Sequence, residues 1–135
     1  MCTGPCETSG GNARADGRIE YTKWLEEEDL VRAYARADIF VHPARWPEPF
    51  GRTIVEAMHA GVPVIVPRES GSRWVAGEGG MTFENGDPDS LLAAMSALVR
   101  DPSRRRMMGE KGRARAWEFS KDVVLPQLLH ALDVV

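Results

Sequence analysis

The stretch Glu48-Pro49-Phe50-Gly51-Arg52-Thr53-Ile54-Val55-Glu56, continuing through Ala57-Met58-His59-Ala60-Gly61-Val62-Pro63-Val64-Ile65-Val66, decides the fold. The strand-like run Asp38-Ile39-Phe40-Val41 comes just before it, so the order reads strand, loop, helix, tight turn, strand, which is a βαβ unit. Val62-Pro63-Val64-Ile65-Val66 is a continuous apolar run bounded by Gly and Pro, the pattern of a parallel strand covered on both faces. Gly51 stands at the predicted helix start, where the absence of a Cβ lets a ligand approach the backbone. The first helical turn offers unpaired amides and the positive end of the macrodipole, so an anion such as a diphosphate is favoured there. Glu48 and Glu56 would repel phosphate, but they can accept hydrogen bonds from paired sugar hydroxyls, as an acidic residue does with ribose in dinucleotide folds. An anion site beside hydroxyl acceptors suggests a nucleotide sugar.

Working outward, Ile19 to Trp24 fits a short strand, and Glu26 to Arg36 a helix with Leu30, Val31, Tyr34 and Ala35 on one face. On the other side, Ser70-Gly71-Ser72-Arg73 reads as a turn, and Gly79-Gly80 leads into a last strand, Met81-Thr82-Phe83. Asp87-Pro88-Asp89 starts a helix from about Ser90 to Val99, with Leu91, Met95 and Leu98 spaced for one buried face. Asp101-Pro102-Ser103 starts another, which carries Arg104, Arg105, Arg106, Lys111, Arg113 and Arg115. The preferred reading of those charges is a solvated face with Met107, Met108 and Trp117 packed inward; contact with an anionic membrane surface is the less favoured one. Val123 to Val134 reads as an amphipathic helix with Leu125, Leu128, Leu129 and Leu132, and Pro126 falls in its first turn, where it is tolerated. Residues 1–17 are rich in small and polar residues without periodicity, so they read as a disordered segment ahead of a folded domain over 18–135.

A chain of 135 residues with 43% hydrophobic and 27% charged residues and a net charge of −3 fits one small domain. It contains no run of about 18 apolar residues and no apolar leader core, so a cytoplasmic location is expected. Cys2 and Cys6 lack a histidine pair or second cysteine pair to complete a zinc site and read as free thiols. The mild acidity, with no basic stripe interleaved with aromatics, speaks against nucleic acid. His42 ends a strand, where open α/β sheets bind ligands, so it is either a ligand contact or a packed histidine. Arg45 and Trp46 either line a sugar pocket or form an exposed loop tip.

The spacing of Glu48 and Glu56, the Pro49-Phe50-Gly51 between them, and Glu56-Ala57-Met58 followed by Ala60-Gly61-Val62-Pro63-Val64 resemble retaining glycosyltransferases of the GT-B fold, family 4 (glycosyl transferases group 1). The resemblance runs from about Arg18 to Phe119, through Ala37 to Pro43, Gly80 to Phe83 and Arg100 to Arg104. It implies an α/β fold, a partial Rossmann-like parallel sheet with flanking helices that forms the C-terminal half of a GT-B fold. It implies that Glu56 binds the donor ribose and that Glu48, the catalytic position, lies by the transferred sugar and distal phosphate without acting as a nucleophile. The amides around Phe50, Gly51, Arg52 and Thr53 would hold sugar and diphosphate oxygens and stabilise the leaving group's charge, with no cofactor or metal. The implied reaction is retaining transfer of a hexose from a nucleotide diphosphate sugar to an unknown acceptor. Relatives border the nucleotide base with a glycine-containing loop where Lys23 and Trp24 stand here.

With a family strand order of 3-2-1-4-5-6, the chain is expected to hold strands 3 to 6 and to lack the two that carry the diphosphate-gripping Arg and Lys, together with the acceptor domain. It therefore reads as a donor-domain fragment, inactive or nearly so alone, with a long apolar edge on strand 4 open to self-association or a partner chain. The alternatives are a non-catalytic nucleotide-sugar-binding or interaction subunit of a split glycosyltransferase, and an α/β phosphate-binding regulatory domain of another superfamily.

Overall fold

A computed structural model describes residues 24–132 together with Ile19 and Thr22. Three parallel strands, β1 (Phe40–Val41), β2 (Val64–Pro67) and β3 (Gly80–Phe83), lie side by side in that order. Phe40 pairs with Val64, and Val64 in turn with Gly80. The helices are α1 (Glu27–Arg36), α2 (Arg52–His59), α3 (Gly71–Ala76), α4 (Pro88–Arg100), α5 (Pro102–Trp117) and α6 (Lys121–Ala131). This is the expected α/β architecture, a parallel sheet flanked by helices.

β2 is the central strand, and all four of its residues are buried. Its alternation divides the core: Val64 and Val66 join Ile54, Ala57, Met58, Val75, Ala76 and Ala116 on one face, while Ile65 joins Phe83, Ala94, Leu98 and Met108 on the other. That two-sided burial is why the run carries no polar residue. The α2–β2 connection closes as a Schellman motif, with Val62 N–H on the Ala57 carbonyl at 3.1 Å and Gly61 N–H on the Met58 carbonyl at 2.9 Å. Gly61 adopts φ +78°, the left-handed conformation that this ending requires. Asp87 caps α4 by accepting from the amides of Asp89 and Ser90, and Asp101 caps α5 through the Arg104 amide.

Several expectations are corrected. Ser70 to Arg73 was expected to turn, but Gly71–Ala76 forms α3, because Ser72, Val75 and Ala76 are buried in the core. On α5, Met108 faces inward as expected, but Met107 and Trp117 point outward at 49% and 60% exposure, and Gly109, Gly112 and Ala116 take the remaining inward places. The reason is close backbone approach: a Cβ on Gly109 would collide with the Gly61 carbonyl, and Gly112 lies against Met58 and the Gly79 backbone. Ala94 takes the buried place expected of Met95 on α4. α6 has no buried residue, and Leu125, Leu128 and Leu132 are exposed. The long apolar edge reduces to the two residues of β1; among the described residues no strand pairs with its outer side. The expected strand over 19–24 lies largely outside the described residues, and Ile19, Thr22 and Trp24 belong to no strand. The disordered reading of residues 1–17 falls outside the described residues altogether.

Four of the six basic residues of α5, Arg105, Lys111, Arg113 and Arg115, have partners within the molecule. Arg105 donates from Nη1 to the Leu98 and Val99 carbonyls at 2.6 and 2.9 Å, at the end of α4. Arg113 donates to the Ala60 carbonyl at 3.2 Å, at the end of α2, and Arg115 to the Trp74 carbonyl at 3.3 Å in α3. Lys111 pairs with Glu78 at 2.7 Å. Among the described residues no helix is long and apolar enough to cross a membrane.

Candidate functional site

The site forms where the β1–α2 loop meets the start of α2. Gly51 is the N-cap residue at φ +80°, and no side chain caps the helix. The Ile54 amide turns back to the Gly51 carbonyl at 3.0 Å, which leaves the Arg52 and Thr53 amides without an intrahelical acceptor. An L side chain at Gly51 would be strained, and its Cβ would stand 2.5 Å from Ile54 Cδ1. This glycine therefore fixes where the two free amides point.

The loop ahead of Gly51 is pinned from three sides. Phe50 sets its ring edge-on to Phe119 at 5.3 Å, and Phe119 in turn meets Trp74 at 5.5 Å. The Arg115 guanidinium lies over both Trp74 and Phe119, 4.9 and 5.0 Å from their ring centres. Asn85 Nδ2 donates to the Arg45 carbonyl at 3.3 Å. Pro49 touches the backbone at Gly71, where a Cβ would collide with the Pro49 carbonyl. Glu48 is half-buried and accepts from Trp46 Nε1 at 3.2 Å, which orients its carboxylate. His42 donates its amide to the Ile65 carbonyl at 2.9 Å, while its Nε2 is buried with no hydrogen-bond partner among the described residues.

Glu56 lies one turn into α2. Its Oε2 accepts from the Tyr34 hydroxyl at 3.1 Å, and its Oε1 stands 4.0 Å from Arg52 Nη2. Burial first, then the hydrogen bond to Glu56 and its charge, push the Tyr34 phenol up to about 12. A cavity of about 720 Å³ opens between α1 and α2, walled by Trp24, Leu25, Leu30, Val31 and Tyr34 on one side and Arg52, Glu56 and His59 on the other. It is a largely apolar slot with the Glu56 carboxylate and the Arg52 guanidinium at one wall and the Glu27 carboxylate at the other.

The predicted residues thus gather in two groups. Arg52 and Glu56 line the cavity; Glu48 does not, and sits around the Gly51 corner from it. Phe50 turns its side chain into the packing, so only its backbone is offered to a ligand. Thr53 is exposed at the open helix end. Sequence reasoning placed Tyr34 on an inward face, yet nothing in the helical period shows that its hydroxyl reaches a residue 22 positions away. The side chains of Arg52 and His59 were likewise not foreseen as cavity walls.

Residues 11–115 match the family model described as glycosyl transferases group 1. Among curated proteins, the chain is 34% identical over 120 residues to O-antigen chain mannosyltransferase B of Escherichia coli, covering 89% of this chain and 31% of that protein. It is 35% identical over 130 residues to a GDP-mannose-dependent monoacylated alpha-(1-6)-phosphatidylinositol monomannoside mannosyltransferase of Corynebacterium glutamicum, covering 90% of this chain and 32% of that protein. The chain therefore spans about a third of the length of these relatives. Among solved structures, sucrose-phosphate synthase of Thermosynechococcus elongatus superposes with a TM-score of 0.78 at 28% identity, over 88% of this chain and 31% of that one. HepE of Anabaena in complex with UDP superposes with a TM-score of 0.71 at 26% identity, over 77% of this chain and 29% of that one.

Proposed function

Since the chain belongs to the glycosyl transferases group 1 family, we propose that it binds the nucleoside diphosphate part of a sugar donor for a retaining hexosyl transfer. The observation that carries this reading is the left-handed Gly51, which exposes the Arg52 and Thr53 amides one turn before Glu56 on the cavity wall. An anion at those amides is favoured by their free N–H groups and the helix dipole. In this reading the nucleoside enters the slot between α1 and α2, its ribose hydroxyls meet Glu56, and the diphosphate runs to the amides of Gly51, Arg52 and Thr53. The transferred sugar then lies toward Glu48, whose carboxylate is already oriented by Trp46.

The protein's part in transfer is to position the donor and to stabilise the negative charge on the departing diphosphate through fixed amides. No metal ion or cofactor enters this account. Attack by the acceptor on the face that the diphosphate leaves retains the anomeric configuration, and the leaving phosphate receives the acceptor proton. HepE, whose solved complexes include UDP and UDP-glucose, and the GDP-mannose-dependent relative support a nucleotide-sugar donor. Transfer by these 135 residues alone is not expected.

The test is an amide correlation spectrum titrated with UDP, GDP and ADP in turn. Shifts confined to Gly51–Glu56 and the cavity walls with one nucleotide support the reading and identify the base. A response to none of the three, or one elsewhere on the chain, refutes it.

A further inference from the structure

We propose that Tyr34 is a positioning residue for Glu56: its hydroxyl holds one carboxylate oxygen so that the remaining lone pairs face the cavity and accept the two hydroxyls of a ribose. This inference rests on the nucleotide-sugar reading above.

The geometry is specific. The hydroxyl donates to Oε2 at 3.1 Å from the neighbouring helix, and both residues wall the same cavity. The Tyr34 ring is itself fixed against Phe40 of β1, with centroids 5.8 Å apart, so the donor is anchored to the sheet. The other oxygen, Oε1, lies 4.0 Å from Arg52 Nη2, too far for a hydrogen bond, and the Arg52 side chain is 88% exposed. Residues four apart on a helix close such pairs readily. With Oε2 held by Tyr34, the carboxylate meets Arg52 only at the outer edge of ion-pair range and makes no hydrogen bond to it. A carboxylate has about four lone-pair sites, and one bond from Tyr34 leaves enough for a vicinal diol. Because the phenol is pushed up to about 12, it remains a donor throughout the range in which a nucleotide would be bound.

The experiment compares the chain with Tyr34→Phe, Glu56→Gln and the double variant. Each is titrated calorimetrically with UDP, GDP and ADP, and with the 2′,3′-dideoxy form of whichever binds. Tyr34→Phe retains the ring on Phe40 and should weaken the ribonucleotide about tenfold while leaving the dideoxy form within about twofold. Glu56→Gln should erase the preference for ribose, and adding Tyr34→Phe to it should change neither ligand further. Equal losses for both ligands in Tyr34→Phe would assign the tyrosine to helix packing alone and overturn the proposal. A ribose preference that survives Glu56→Gln overturns it as well. Failure of the unsubstituted chain to bind any of the three nucleotides defeats the functional reading itself, and this inference with it.

Discussion

Replacing Gly71 with Ala should damage the proposed donor site even though the substitution favours the helix it sits in. Gly71 is the first residue of α3, and its φ is not in the left-handed region, so Ala is conformationally allowed and gains up to about 1 kcal/mol in propensity. The added Cβ, however, would stand 2.6 Å from the Pro49 carbonyl carbon and 3.0 Å from its Cα, both backbone atoms that no rotamer change can remove. Restoring an ordinary separation of about 3.5–4.0 Å moves one segment by roughly 1 Å. A collision this deep, which also involves the Pro49 carbonyl oxygen, sits at the upper end of the roughly 1–3 kcal/mol that overpacking costs, so the net loss is about 2–3 kcal/mol, or on the order of 10 °C in the unfolding midpoint. Pro49 is two residues from Gly51, and a shift of about 1 Å there carries the free amides out of hydrogen-bonding range of a bound diphosphate. Losing two charge-assisted bonds then weakens nucleotide binding about a hundredfold or more. Thermal unfolding followed by circular dichroism reads the first effect, and calorimetric titration with the nucleotide that binds reads the second. A variant as stable as the parent, or a destabilised one with unchanged affinity, refutes the coupling of the two loops.

Gly51→Ala forces a left-handed alanine at a cost of about 1–2 kcal/mol and presses on the fully buried Ile54; chemical denaturation should register that loss, and nucleotide titration a weaker affinity. Arg105→Ala should cost about 1–3 kcal/mol, because the Leu98 and Val99 carbonyls lose a charged donor, whereas Lys111→Ala, which breaks an exposed, salt-screened pair, should leave the denaturation midpoint nearly unchanged in the same series. The Tyr34 phenol is raised in the folded state from its ordinary 10 to about 12, so its contribution to stability is full below pH 10 and is lost as pH rises toward 12. Denaturation across that window should fall more steeply for the parent than for Tyr34→Phe, and phenolate absorbance of the folded variant should lack the step near 12.

Where one strong local signal dictated structure, it was legible. The apolar run Val62 to Val66 leads into the central strand, which starts two residues later than expected and runs Val64–Pro67, because only a doubly covered position suits it, and Asp87 and Asp101 each cap the helix they precede. The Gly51 corner was readable for the same reason, since few residues other than glycine open a helix in that conformation. What stayed hidden depends on partners far along the chain. α3 has only six residues and no side-chain cap, so its helicity comes from burying Ser72, Val75 and Ala76. On α5, size misled: the largest apolar side chains, Met107 and Trp117, were expected inward, but contact at backbone distance admits only small residues such as Gly109 and Gly112. For the site, Glu48, Gly51 and Glu56 could be singled out, yet the division that puts Glu56 on the cavity and Glu48 around the corner required coordinates. The bond from Tyr34 to Glu56 joins separate elements and leaves no trace in periodicity.

The arginines of α5 also shape the field in which a ligand would sit. An isolated helix is a dipole, and at a distance its negative end partly cancels the attraction that its positive end exerts on an anion. Here Arg113 covers the Ala60 carbonyl at the far end of α2. That cation offsets the negative pole, which leaves the positive end at Arg52 and Thr53 less opposed by the far end of its own helix. Because salt screens a surface helix dipole and its pull fades within the first turn, the gain is felt only by an anion already close to those two amides. A guanidinium on another helix, outside the cavity walls, thereby sets part of the local potential at the open end of α2.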